Sequence, residues 1–207
     1  MHLQLSQPAE VKAAFDRIND SVARYIDLTS SELIVFDQLL KQRTVGKKQF
    51  LLRAGEICTF EGFVIKGCLR KFYIDGNGHE VIIQFAVEDH WISDTASFIT
   101  QQPGKIYIEA LEETTILSLG FCTKEKLLQL VPKFERYYRL LIERNLMVFV
   151  ERVHFSMNKS ATEKYLDFLA HHPSLSQRVA QQHIASYLGI TAEFLSRLKT
   201  KILKQHQ

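Results

Sequence analysis

Five polar side chains near the end of the chain recur at helical spacing and could hydrogen-bond to DNA bases. They are Glu193, Ser196, Arg197, Thr200 and Lys201. Because residues three and four apart share one face of a helix, these side chains would project together. An arginine can donate two hydrogen bonds to guanine O6 and N7, and a glutamate can accept one from cytosine N4. The pattern predicts a helix that contacts the major groove, although Glu193 and Arg197 could instead form only a surface ion pair.

The surrounding residues, 181–200, have the spacing of a helix-turn-helix. Gly189 falls where the turn between two helices commonly needs a positive φ, and Thr191 is a suitable N-cap for the second helix. Gln181 and Gln182 would begin the first helix, where side chains and backbone N–H groups often meet phosphates. The inner faces would be lined by Ile184, Leu188, Leu195 and Leu198. An ordinary helical hairpin would share this apolar spacing, but the polar outer face favours a DNA-binding unit. The predicted DNA contacts are Gln181, Gln182, Thr191, Glu193, Ser196, Arg197, Thr200 and Lys201.

At these residues the sequence resembles the Crp/Fnr family of bacterial transcription regulators, and the resemblance extends over nearly the whole chain. Glu193, Ser196 and Arg197 match the E-x-x-S-R arrangement of the Fnr type. The resemblance implies a homodimer that binds double-stranded DNA at near-palindromic sites with TGA-containing half-sites. It also implies RNA polymerase as a partner and an unknown small-molecule effector. Ala192 stands where some relatives have a further arginine, which leaves the outer base of the half-site open.

The charge distribution is consistent with this assignment. Residues 158–207 contain seven Lys or Arg and three Asp or Glu, a net charge of +4, whereas the rest of the chain carries −1. A basic segment beside a neutral one suits a DNA-binding domain attached to a body that does not bind DNA. A hydrophobic content of 46% is enough for one or two domains with real cores.

The first two thirds of the chain predict a β-rich domain. Residues 68–74 and 106–111 alternate apolar and polar side chains, and Asp75-Gly76-Asn77-Gly78 is a strong hairpin signal. Together with the resemblance, this predicts an α+β protein with an antiparallel, jelly-roll-like β-roll of the cyclic-nucleotide-binding type at residues 1–131. A central dimerisation helix at 132–157 and a winged helix-turn-helix at 158–207 would follow, with a short wing near residues 175–179.

The predicted ligand pocket departs from the family pattern. Nucleotide-binding relatives have a Gly-Glu pair for the ribose and an Arg-Ser or Arg-Thr pair for the phosphate, where this chain has Ser93-Asp94 and Gly104-Lys105. A lysine does not reproduce the bidentate fork of arginine. The resemblance therefore implies a pocket for another ligand or for none, rather than for cyclic AMP. Its lining would be Trp91, Ser93, Asp94, Gly104, Lys105 and Tyr107.

The central helix is predicted to pair with its twin. Pro132 would lie at its start, and the following residues are continuous helix formers. A three-four spacing places one row on a single face: Tyr138, Leu141, Asn145, Val148, Arg152 and Phe155. The alternative is a helix buried in the core of a monomer.

Other functional classes receive less support. Cys58, Cys68 and Cys122 are far apart, and no cysteine precedes Cys58 as it does in relatives that hold an iron–sulfur cluster, so no cofactor and no metal are expected. A metal enzyme of the cupin type would need clustered histidines, whereas His79 and His90 stand alone. The main alternative to a regulator is a small-molecule sensor, with a cyclic nucleotide as one candidate ligand, whose DNA-binding head is vestigial.

The N-terminal segment and the apolar runs bear on localisation. Residues 1–20 form a candidate amphipathic helix that lacks the apolar core of a signal peptide. No apolar run reaches the roughly 20 residues that a membrane span needs. The sequence predicts a cytoplasmic protein without a membrane partner.

Overall fold

The computed structural model of the chain describes residues 8–205, with the backbone alone for residues 8, 155–157 and 203–205. The described residues form two compact units. The first contains the described residues up to Lys71 together with Phe85–Glu143. The second contains Phe72–Gln84 and the described residues from Arg144 onward. The long central helix thus contributes to both units, and a β-hairpin belongs with the C-terminal helices.

Eight short strands form two four-stranded sheets. The strands are β1 (Lys41–Val45), β2 (Phe50–Leu52), β3 (Phe60–Lys66), β4 (Leu69–Ile74), β5 (Glu80–Ala86), β6 (Trp91–Ile92), β7 (Tyr107–Ala110) and β8 (Thr114–Gly120). One sheet has the order β1-β8-β3-β6 and the other β2-β7-β4-β5. β8 pairs antiparallel with both β1 and β3, and β7 pairs antiparallel with β2. The predicted α+β class, with an antiparallel β-roll followed by helices, is confirmed.

The two sheets share an apolar core to which strands of both contribute. It includes Leu52, Leu69, Ile92, Ile108 and Ile116. Since successive side chains of a strand point to opposite faces, the residues next to Ile92 and Ile108 in sequence point away from the roll interior. This alternation decides which predicted pocket residues can reach the interior.

Nine helices occupy the rest of the described chain. They are α1 (Pro8–Ala23), α2 (Ser30–Leu39), α3 (Thr95–Thr100), α4 (Phe121–Leu130), α5 (Lys133–Asn158), α6 (Ala161–His171), α7 (Leu175–Arg178), α8 (Gln181–Leu188) and α9 (Ala192–Gln205). A capping box formed by Ser160 and Glu163 starts α6. Where the sequence predicts a wing, the structure has the single turn of α7. Leu175 and Val179 are both buried, and the Val179 N–H donates to the Leu175 carbonyl, which closes a helical turn instead of a strand.

A second core lies between the helices of the first unit and the outer face of one sheet. Phe63 and Leu117 of the sheet meet Phe36 and Phe134 of the helices. The rings of Phe36 and Phe134 are 4.7 Å apart between centroids. This core fixes the N-terminal half of α5 in the first unit.

The predicted turn between β4 and β5 is present. The Asp75 carboxylate accepts hydrogen bonds from the backbone N–H groups of Asn77 and His79, each at 2.9 Å. Gly78 has a φ of 83°, which a glycine adopts without strain. The turn closes the hairpin that belongs to the second unit.

Candidate nucleic-acid interface

Helices α8 and α9 form a helix-turn-helix with a glycine in the turn. Gly189 has φ 70° and ψ 33°, in the left-handed region. Its N–H donates to the Ser186 carbonyl, and the N–H of Ile190 donates to the Ala185 carbonyl at 3.0 Å. These two bonds form a Schellman motif, which satisfies the last carbonyls of α8 and turns the chain sharply.

Gly189 supplies a test of this turn. A Cβ at residue 189 would meet no atom within 4 Å, so Gly189→Ala changes only the backbone preference. We expect it to lower the free energy of unfolding by about 1 kcal/mol, the cost of a left-handed conformation for a residue with a side chain. Chemical denaturation measures this change. Gly76→Ala is the matched control, because Gly76 is equally uncrowded and has no positive φ. Equal stability of the two variants would contradict the proposed strain.

The start of α9 is fixed by Thr191. The Thr191 hydroxyl accepts a hydrogen bond from the Phe194 N–H at 3.1 Å, as expected of an N-cap. Leu195 and Leu198 are buried, at 0% and 6% exposed. The apolar side of α9 is therefore buried, which fixes the rotation of the helix about its own axis.

The polar face predicted to contact DNA is exposed. The side chains that lie on the outer side of α9 are Glu193, Ser196, Arg197, Thr200 and Lys201. Gln181 and Gln182 are exposed in the first turn of α8. The Thr200 hydroxyl donates to the Ser196 carbonyl at 3.2 Å, so part of its hydrogen-bonding capacity is used within the helix. We call the exposed side of α9 the polar face.

Groups close to Glu193 keep its carboxylate negatively charged. The backbone N–H of Glu193 and the hydroxyl of Thr191 donate hydrogen bonds to the Glu193 carboxylate, and with Arg197 they hold its pKa below the usual range. The carboxylate is thus ionised at neutral pH and can only accept hydrogen bonds. The Arg197 guanidinium lies 5.9 Å from the centre of the Phe194 ring. The charged groups of the polar face thus include one hydrogen-bond acceptor, the Glu193 carboxylate, and one forked donor, the Arg197 guanidinium.

Helix α5 carries exposed apolar side chains along its middle. Every side chain from Ile142 to Val150 is exposed. Within and just beyond this stretch, four apolar residues follow a 4-3-4 spacing, which is the spacing of a coiled-coil seam: Ile142, Leu146, Phe149 and Val153. We call this row the apolar strip. Exposed apolar surface of this kind is typical of interaction sites.

The row predicted from the sequence lies one residue away from the apolar strip. Tyr138 is buried in the first unit, where the Lys124 ammonium lies 3.9 Å from its ring centre, and Leu141 packs on the same core. Arg152 is hydrogen-bonded within the second unit. Asn145 and Val148 are exposed beside the strip, and the side chain of Phe155 lies outside the described residues.

Two residues of the predicted ligand pocket, Asp94 and Gly104, lie against each other, and a third, Ser93, is buried. Asp94 is 5% exposed and caps α3, where its carboxylate accepts from the Ser97 N–H at 3.3 Å. A Cβ on Gly104 would collide with the same carboxylate, so Asp94 lies directly against Gly104. Ser93 is buried next to Asp94. The Asp94 carboxylate therefore fills the space beside Gly104.

Two predicted pocket residues point away from the roll. In β6, Ile92 belongs to the core between the sheets, so the adjacent Trp91 faces the helices; its indole N–H donates to the Tyr137 hydroxyl at 2.9 Å. In β7, Ile108 points inward, so Tyr107 points outward and its ring lies 6.0 Å from that of Phe50. The predicted pocket is therefore corrected at Trp91 and Tyr107.

Lys105 and Lys71, the two lysines considered beside Asp94 and Gly104, differ in how exposed they are to solvent. Lys105 is exposed. Lys71, which the sequence analysis missed, is half-buried and lies two residues after Leu69, a member of the roll core. Burial lowers its pKa, while the Asp94 charge acts in the opposite direction. The alternation of β4 was the signal that could have identified Lys71.

No arrangement suited to a metal ion is present among the described residues. Cys58 and Cys68 are buried and Cys122 is exposed. Burial raises the pKa of the Cys58 thiol. Within residues 8–205, no group of three His, Cys, Asp or Glu side chains could hold a metal, so the cysteines do not fit an iron–sulfur cluster. In the same range no helix is both long enough and apolar enough to cross a membrane.

Comparisons with known proteins extend the structural evidence. No protein-family model matches the chain. The transcriptional activator protein Anr of Pseudomonas aeruginosa is 24% identical over 191 residues, which cover 85% of this chain and 76% of Anr. The fumarate and nitrate reduction regulatory protein of Vibrio cholerae is 25% identical over 194 residues, covering 86% of this chain and 75% of that protein.

The fold matches as well. The structure of FixK2 from Bradyrhizobium japonicum superposes with a TM-score of 0.70 at 16% identity, over 81% of this chain and 86% of FixK2. Helix-turn-helix, β-roll and sequence likeness thus agree, and the chain is related to the Crp/Fnr transcription regulators over most of its length and shares their fold.

Proposed function

We propose that the chain is a homodimeric, sequence-specific transcription regulator that binds near-palindromic DNA sites with TGA-containing half-sites. The observation that carries this proposal is the exposed polar face of α9 on a helix-turn-helix with a defined turn. Arg197 would supply the forked donor that a guanine edge accepts from, and Glu193 the acceptor that a cytosine amino group requires. The relatives named above are themselves transcription regulators. RNA polymerase would be the protein on which the DNA-bound dimer acts, in the cytoplasm.

Dimerisation would occur through the apolar strip. Paired α5 helices would remove Leu146 and Phe149, 59% and 62% exposed, from water. A two-fold dimer presents two copies of α9, and two half-sites lie about 34 Å apart when they are one helical turn from each other. A near-palindromic site follows from that symmetry.

The β-roll would not bind cyclic AMP. The Asp94 carboxylate, held by the N-terminus of α3 and lying against Gly104, would repel a phosphate brought to the same place. The arginine fork that grips a phosphate in nucleotide-binding relatives has no counterpart at Gly104-Lys105. We therefore expect DNA binding that does not require a cyclic nucleotide.

The test of the proposed function is fluorescence anisotropy with a labelled duplex that carries inverted TGA-containing half-sites, at near-physiological salt and without nucleotide. We expect selective binding, tighter than to a scrambled duplex by roughly 10³-fold or more. Equal weak binding to both duplexes, with or without added cyclic AMP, would refute sequence-specific recognition.

The pocket proposal has its own measurement. Isothermal titration calorimetry with cyclic AMP is expected to give no saturable heat at concentrations up to about 1 mM, a range that detects any free energy of binding beyond roughly −4 kcal/mol. A cyclic-nucleotide-binding protein titrated under the same conditions serves as the positive control. Saturation at one nucleotide per chain would overturn the assignment of Asp94 as an obstacle to phosphate.

A further inference from the structure

Strand β5 is the outer strand of its sheet, so one row of its backbone groups has no strand partner in the described chain. Such groups attract other partners because an unpaired edge is costly to bury. Ser186 of α8 meets part of this row. Its hydroxyl accepts from the Ile82 N–H at 3.1 Å and donates to the Glu80 carbonyl at 2.6 Å. Because Glu80 and Ile82 are two residues apart, their backbone groups point to the same side of the strand.

Arg152 of α5 meets the same edge. Its guanidinium donates to the carbonyl of Ile82 at 3.2 Å and to the carbonyl of Ile83. The guanidinium also lies over the ring of Tyr187, 4.2 Å from its centre. One side chain thus joins α5, β5 and α8. We call Arg152, Ser186 and Tyr187 the clasp.

The clasp is anchored, and its three side chains are half-buried. Ile82 is 1% exposed, so loss of its hydroxyl partner would leave a buried N–H unsatisfied. The Tyr187 ring lies 5.7 Å from the ring of Phe168, which ties the clasp to α6. None of its three residues belongs to the polar face of α9. The clasp therefore holds the helix-turn-helix without occupying the surface proposed to bind DNA.

We propose that Arg152, Ser186 and Tyr187 are positioning residues that fix the helix-turn-helix against the hairpin 72–84 and so set the half-site spacing that the dimer accepts. This inference rests on the proposed function. Three contacts hold the helix-turn-helix to α5 and β5, and two more join α5 to β5 through Arg152. A helix-turn-helix held in this way has one orientation, and two such units in a dimer have one separation. DNA sites with that separation bind both units at once, whereas other spacings require one unit to rotate.

The strands of the hairpin give the clasp a direct backbone connection to the β-roll. Leu69 at the start of β4 and Ala86 at the end of β5 both belong to the core between the sheets. Only a few residues of strand separate this core from the backbone groups that the clasp binds.

The first experiment uses the full chain and two duplexes that carry the same inverted half-sites at spacings differing by a few base pairs. The ratio of the two dissociation constants is compared for the unaltered protein and for Ser186→Ala combined with Arg152→Met. We expect the ratio to fall by at least about fivefold in the double variant, the lower end of typical couplings between sites. Ser174→Ala, a substitution of a serine that makes no capping bond at the start of α7, should leave the ratio unchanged.

A second readout tests the clasp without DNA. In hydrogen–deuterium exchange, the Ile82 N–H should be protected in the unaltered protein and in Ser174→Ala, and should lose protection in Ser186→Ala. Unchanged exchange at Ile82 would overturn the clasp itself. Lost protection with an unchanged spacing ratio would overturn its positioning role. If the unaltered protein distinguishes no duplex from scrambled DNA, the proposed function fails, and the exchange result still decides whether the clasp exists.

Discussion

Replacing Leu146 and Phe149 together by aspartate is expected to convert the proposed dimer into folded monomers and to weaken binding to a two-half-site duplex by about 10²-fold or more. Both side chains lie in the apolar strip and are largely exposed in the single chain. An aspartate there does not disturb the core of the chain, but it would be an unpaired charge at a closed α5–α5 interface. Linking two DNA-binding units typically raises affinity by roughly 10²- to 10⁴-fold, and the monomer loses this gain.

Sedimentation equilibrium and anisotropy measure the two effects on the same samples. Leu130→Asp is the matched control, because Leu130 is 54% exposed and lies on α4, away from the strip. It should remain dimeric and bind DNA normally. A dimer that persists in the double variant would show that the subunits associate through another surface.

Arg197→Ala is expected to cost about 1 to 3 kcal/mol of binding to the specific site and to relax the preference at one base of each half-site. The Arg197 side chain is exposed on the polar face, so its removal leaves the buried side of α9 untouched. Competition binding with duplexes that vary each half-site base in turn gives both the loss of affinity and the base at which it occurs.

Arg197→Lys separates base recognition from charge. Lysine keeps the positive charge but lacks the planar fork that donates to O6 and N7 together. We expect Arg197→Lys to bind scrambled DNA as well as the unaltered protein does. For the specific site, we expect it to keep most of the loss of affinity seen in Arg197→Ala. If both substitutions weaken specific and scrambled duplexes equally, Arg197 is a phosphate contact and the base assignment is incorrect.

The features that were predictable from the sequence are those that local interactions determine. The turn of the helix-turn-helix depends on Gly189 and on bonds to residues three to five positions earlier. The hairpin turn depends on the Asp75 carboxylate and on the positive φ of Gly78. In both cases one short segment contains the donors, the acceptors and the residue that permits positive φ, so the pattern alone is informative.

Tertiary contacts decided the features that the sequence misplaced. Apolar residues lie on several faces of α5. Their periodicity therefore does not show which of these faces packs against the rest of the same chain. The structure shows that Tyr138 and Leu141 join the first core and that Arg152 holds β5, which leaves the apolar strip one residue further round. The contact of Asp94 with Gly104 joins residues ten positions apart, and no local rule predicts it.

Face assignment in short strands failed for a similar reason. β6 has two residues, and a strand of that length gives no period from which to choose between Trp91 and Ile92. Large aromatic side chains suggested a pocket lining, but a tryptophan with its N–H satisfied by Tyr137 serves equally well between a sheet and a helix.

The contacts of Ser186 and Arg152 with the edge of strand β5 also affect the tendency of the protein to aggregate. A bare outer strand is a template on which an extended segment of another molecule can add, and such addition propagates into fibrils or amorphous precipitate. Ser186 and Arg152 occupy the hydrogen-bonding groups of Glu80 and Ile82 that would nucleate it. The contacts that orient the DNA-binding helices therefore also protect the chain from self-association at this edge.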